Sequence, residues 1–127
     1  MKDISEILDN KGVWVLEQSY FPKLFFNNAY DSLCHEHLTY FTMYQLNIML
    51  HKNCLRVFDI KLNEMNGGSI RFFISHKNSG HVNNNRNILK IKKIEKKYFG
   101  KLKINLRKFK KNITKSKREL KIGRAHV

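Results

Sequence analysis

The segment Tyr30 to Phe41, YDSLCHEHLTYF, concentrates the chain's most reactive side chains. Cys34, His35, Glu36 and His37 stand together between aromatic residues. Three chemistries fit such a cluster. Cys34, His35 and His37 are possible metal ligands, but no second CxxC or HxxxH pair stands at the usual distance, and adjacent ligands alone close a tetrahedral site poorly. The same polar groups could simply satisfy a loop between a strand and a helix, as histidine often does. The third chemistry is general acid–base catalysis. Histidine titrates near neutral pH, and a neighbouring carboxylate orients it and stabilises its charged form. Nearby tyrosines can hold substrate hydroxyls. Residue types alone leave these readings open.

The elements around the cluster follow from pattern. Residues 3–10 read as a helix end, with Asp3 and Glu6 at capping-box spacing and Ile4, Ile7 and Leu8 on one face; Gly12 is the expected stop. Val13 to Leu16, VWVL, is apolar without alternation, which predicts a strand covered on both faces, as in a parallel α/β sheet. Pro22 is expected to end that strand region. Thr42 and Gln45 form a capping box, with Phe41 and Leu46 placed as a hydrophobic staple. Leu46, Met49 and Leu50 are the expected buried face of this helix, and Asn53 its stop. Leu55 to Leu62 and Ser69 to Ser75 read as strands around the turn Asn63 to Gly68, an antiparallel pair.

The remainder differs in kind. Residues 1–76 hold seven Lys/Arg and eight Asp/Glu, a balance of −1, whereas residues 77–127 hold eighteen and two, a balance of +16. The net charge therefore belongs to the tail. From Ile88, apolar positions 88, 91, 94, 98, 102, 106, 109 and 113 recur at helical spacing, as one long amphipathic helix or two with Gly100 as a weak point. No packing partner for it is visible in the sequence. A lysine-rich tail can bind nucleic acid, with Tyr98, Phe99 and Phe109 interleaved as possible stacking rings. Drift toward lysine, asparagine and isoleucine explains the same composition more simply, and nucleic acid is the weaker partner. The final IGRAHV matches the translation of a common sequencing adapter, so 122–127 are expected to be an artefact in which Arg124 and His126 carry no function.

The composition, 42% hydrophobic and 12% aromatic, is that of a globular chain. No apolar run reaches about 18 residues, and the N-terminus lacks the apolar region of a secretory signal. A cytoplasmic location is expected, with no membrane partner and with Cys34 and Cys54 as thiols.

Three stretches, taken in order, resemble the late part of the S-adenosylmethionine-dependent sugar C-methyltransferases. GVWVLEQSYFP resembles a late Rossmann strand and the turn after it. YDSLCHEHLTYF resembles the family signature, a Glu-His pair after an aromatic residue and an Asp. NEMNGGSIRFFISH resembles a closing strand pair with Asn-Gly-Gly-Ser and a downstream Arg. Coverage runs from Gly12 to His76, about half the chain.

The resemblance implies a fold and a reaction. The fold is α/β, the C-terminal part of a Rossmann-like methyltransferase sheet: one parallel-type strand, a helix, an antiparallel strand pair, then a helical basic tail. Residues 1–76 would be the late part of a class I methyltransferase domain, and 77–121 the truncated start of its C-terminal domain. The implied substrate is a nucleotide-linked keto-deoxysugar. A base removes the proton alpha to the ketone, and the enolate carbon takes the methyl group of S-adenosylmethionine. The resemblance assigns His37 as the base with Glu36 beside it. Cys34 stands where some members carry tyrosine; His35, Tyr20 and Arg71 are further candidates for substrate contact, and Glu17 to Tyr20 would lie at the carboxyl end of the strand. No residue here is assigned to the cofactor or a metal, since the glycine-rich loop and ribose-binding acid of the family lie upstream of this segment. The chain then reads as an inactive, marginally folded fragment, with Met1 open as an internal methionine.

Overall fold

A computed structural model describes residues 1–30, 39–64 and 68–125. Among them the elements run α1 (Lys2–Ile7), β1 (Trp14–Ser19), α2 (Phe21–Phe26), α3 (Met43–His51), β2 (Leu55–Asn63), β3 (Ser69–His76), α4 (Asn85–Gly100) and α5 (Leu102–Ala125). The strands form one sheet in the order β1-β3-β2. β3 is antiparallel to both neighbours, so β1 and β2 point the same way.

The core fills one face of this sheet. Ile70, Phe72 and Ile74 alternate along β3 and pack with Leu55, Val57 and Ile60 of β2. Met43, Leu46 and Leu50 of α3 and Ile91 of α4 close over them. Each such side chain contributes about 1.5–3 kcal/mol on burial. Val57 and Ile60 are three apart, which strict alternation would send to opposite faces. A β-bulge between Val57 and Asp59 restores both to the core side. Phe58 stacks on His81 instead, with ring centroids 4.7 Å apart.

The antiparallel pairing of β2 with β3 and the capping box are as the sequence predicts, while 65–67 of the expected turn lie outside the described residues. The Thr42 hydroxyl accepts from the Gln45 amide, and the Gln45 side chain accepts from the Thr42 amide. Other expectations need correction. Trp14–Ser19 is not a parallel strand buried on both faces: it pairs antiparallel with β3, from Trp14 opposite Ile74 to Ser19 opposite Ser69. Trp14 and Leu16 pack on the core, but Val15 is 51% exposed because the described helices cover only one face. The buried face of α3 is Met43, Leu46 and Leu50, with Met49 exposed. Asn53 does not itself make the reversal after α3; its side-chain amide donates to the Met49 carbonyl while Cys54 takes the left-handed conformation at φ 55°.

At the other end of the chain, α1 is capped by Met1 rather than Asp3 and ends before Gly12. Gly12 instead allows a close approach, since a Cβ there would meet Leu8 Cδ1 at 2.8 Å. Pro22 opens α2 rather than only ending β1, since its missing amide costs nothing in a first turn. The amphipathic tail has partners within the chain. It divides at Gly100 into α4 and α5; Ile88, Ile91 and Ile94 pack on the core, and the Asn84 side chain caps α4. Tyr98 and Phe109 dock on the aromatic rings of α2, the latter 4.5 Å from Phe25.

Candidate functional site

Residues 31–38 lie outside the described residues, and with them Cys34, His35, Glu36 and His37. The structure does describe the chain on either side. Immediately after β1, the Tyr20 amide donates to the Gly68 carbonyl at 3.1 Å. Tyr20 also pairs with Phe41 in a short parallel bridge. The departing and returning strands of the 21–40 excursion thus run side by side at the carboxyl end of β1. One residue past Phe41 the capping box starts α3.

A single carboxylate ties these points together. Glu95, on α4, is 5% exposed. Its Oε1 accepts from the Tyr20 hydroxyl at 3.2 Å and from the Met43 amide at 2.7 Å, and its Oε2 accepts from the Tyr44 amide at 3.2 Å. The first amides of a helix have no partner of their own and carry partial positive charge, so a carboxylate is stabilising there. Burial raises the Glu95 pKa above the usual carboxylate value, opposed by the Met43 and Tyr44 amides and then by Tyr20. Burial, followed by the charge of Glu95, pushes the Tyr20 hydroxyl far above its ordinary range. Tyr20 thus stays protonated and donates a hydrogen bond to Glu95.

Tyr20 and Arg71, both expected at a substrate site, are not brought together. Tyr20 is fully buried on the core side, its hydroxyl committed to Glu95. Arg71 lies between the core-facing Ile70 and Phe72 and so projects from the opposite face. There its Nη2 and Nε meet Glu17 Oε2 at 2.7 and 2.8 Å. Glu17 Oε1 accepts from Ser69 Oγ at 2.5 Å and Asn63 Nδ2 at 3.0 Å. The Ser69 hydroxyl and then Arg71 hold the Glu17 carboxyl below its usual value. This is a polar crosslink over the three strands. Lys23 pairs with Glu64 beside it, and its stem packs where a Gly68 side chain would stand.

Glu95 is not among the residues that motif spacing singles out. The available signal was an acid at i+4 from Ile91 and i−3 from Tyr98, on the apolar stripe of a lysine-rich helix. A carboxylate in that position must find donors inside.

The chain is similar to part of a C-methyltransferase. Over 81 residues it is 31% identical to the C-methyltransferase NovU of Streptomyces niveus, a match covering 64% of this chain and 19% of that protein. The chain thus spans about a fifth of the length of this curated relative. No protein-family model matches it. The mixed α/β fold with its antiparallel sheet is compatible with the later part of a methyltransferase. No described helix is long and apolar enough to cross a membrane.

Proposed function

We propose that this chain is a segment of an S-adenosylmethionine-dependent C-methyltransferase acting on a nucleotide-linked keto-deoxysugar. The observation that carries the reading is the 31% identity to a C-methyltransferase over most of the chain. In this reading residues 1–76 belong to the methyltransferase domain and 77–121 begin the domain after it. His37 removes the proton alpha to the sugar ketone, and Glu36 orients the imidazole and stabilises its cationic form. Cys34 and His35 flank the substrate. The Tyr20–Glu95–α3 anchor supports this assignment, because it fixes the described chain on both sides of the motif, and rigid supports favour productive geometry.

The methyl donor finds no cradle among the described glycines. The space beside Gly12 is filled by Leu8 and that beside Gly68 by Lys23, while Gly80, Gly100 and Gly123 face open space. No step is therefore assigned to that group through this chain's residues.

The nucleic-acid alternative loses two of its three stacking rings. Tyr98 is fully buried and Phe109 is 8% exposed, both packed on α2, so neither ring can take a base, whereas Phe99 is exposed.

A chimera tests the reading. This chain replaces the matching segment of the Streptomyces niveus protein, and methyl transfer to a nucleotide-linked keto-deoxysugar is measured. Turnover should persist, and His37→Ala should lower it by ~10²–10⁴-fold, the span of one general base. Full turnover with His37→Ala would refute the assignment.

A further inference from the structure

We propose that the chain forms a two-fold dimer in which the acidic helix α1 of each copy docks in the groove between α3 and α4 of the other. The groove holds about 590 Å³, and Tyr44, Lys92, Lys96 and Phe99 stand on its walls. Its two rings reach solvent, Tyr44 being 67% exposed and Phe99 43%. The apolar surface continues along α3. Tyr44, Ile48 and His51 fall at i, i+4 and i+7, all exposed, on a stripe turned away from the buried Met43, Leu46 and Leu50. Apolar side chains grouped in this way mark a contact surface rather than scattered exposure.

Helix α1 is the complement. Its Ile7 is 80% exposed, with the exposed Asp3 one turn before it and the exposed Glu6 at its border. Among the described residues no ion pair uses Asp3, Lys92 or Lys96. Glu6 has only a pair with Lys2 at 3.8 Å between two exposed side chains, a contact worth little. An apolar side chain flanked by acids thus matches an apolar groove flanked by lysines. The two cannot meet within one chain. The Ser5 hydroxyl donates to the Asn53 carbonyl at 2.9 Å, which holds α1 just past the end of α3, whereas the groove opens at its first turn. The length of α3, at about 1.5 Å per residue, keeps them apart. A two-fold axis across the middle of α3 removes the obstacle. It pairs the two α3 helices antiparallel, with Tyr44 of one copy against His51 of the other and the two Ile48 side chains near the axis. Each α1 then reaches the other copy's groove. Every contact is made twice and the surface closes on itself.

The test is sedimentation velocity of the full chain over about 10–300 µM, the span of a modest interface, at about 150 mM salt. A reversible monomer–dimer equilibrium is expected. Asp3→Lys with Glu6→Lys reverses the charge of α1, and Lys92→Glu with Lys96→Glu reverses that of the groove. Either pair of changes alone should weaken the dimer at least about tenfold, and all four together should restore it to within about threefold. Ile7→Ser should weaken it by about tenfold through the lost apolar contact, and Lys117→Glu, outside the contact, by less than about twofold. Circular dichroism of each variant checks that the fold is kept. A monomer at every concentration would overturn the proposal and leave the groove to a partner of other chemistry. So would a dimer whose affinity ignores both charge reversals, or a fourfold variant that fails to restore what each pair loses. Growth into longer oligomers would overturn it too, since a closed two-fold contact stops at two copies.

Discussion

Replacing Glu95 by alanine should cost more than any other single polar change in the described chain. The substitution leaves three donors behind: the Met43 amide, the Tyr44 amide and the Tyr20 hydroxyl. Tyr44 is exposed and its amide can recruit water, whereas Met43 and Tyr20 are buried. Two buried donors at about 1–3 kcal/mol each give a loss of about 3–4 kcal/mol. Glu95→Gln keeps one acceptor oxygen but turns an amino group toward the remaining donor, so about 1–2 kcal/mol should be lost. Tyr20→Phe removes a donor rather than stranding one. Combined with Glu95→Ala it should add less than the sum of the two, with a coupling of about 1 kcal/mol. Urea unfolding followed by circular dichroism measures all four differences. A Glu95→Ala variant within about 0.5 kcal/mol of the parent would refute the anchor.

The same residue sets a pH dependence. Its folded-state pKa is raised, so its contribution is greatest below the ordinary value of 4.5 and is lost as pH rises through the raised one. The stability difference between the parent and Glu95→Gln should therefore move in the parent's favour as pH falls from neutral toward 4.5. Glu17 behaves oppositely. Its lowered pKa gives stability that is present above 4.5 and lost on acidification through the folded value, and Glu17→Gln should abolish that acid-side loss in a pH-resolved unfolding series. At Gly68 the backbone sits at φ 117°, and a new Cβ would lie 2.7 Å from Lys23 Cβ. Gly68→Ala should destabilise by about 2 kcal/mol, read as a lower urea midpoint.

What the sequence made legible was local. The Thr42–Gln45 box needs only neighbours three residues apart, and the β2–β3 pair joins strands adjacent in sequence, so both could be read directly. The division of the tail at Gly100 follows from one weak helix former. What failed depended on distant partners. VWVL is equally apolar whether one face or two is covered, and β3, far along the chain, decides the pairing. Met43 and Met49 have the same side chain on the same helix; the arrival of α4 beside the first turn settles which is buried. The function of Glu95 follows from three partners 51 to 75 residues away, which no local pattern reveals. The chemistry proposed for His37 comes from resemblance and rests on residues outside the described ones.

β3 lies between strands that reach it by very different routes. β2 ends at Asn63, close in sequence to the start of β3 at Ser69, while Ser19 of β1 pairs with Ser69 from 50 residues away. Closing the longer loop costs more entropy, and short-range pairs form sooner. The hairpin is thus the template, and β1 is the late arrival that zips onto its edge. Tyr20 comes with it, so its bond to Glu95 is made near the end of folding. The carboxyl end of β1 is thus held by long-range contacts, the Tyr20–Glu95 bond and the Glu17 crosslink, which only the assembled sheet supplies.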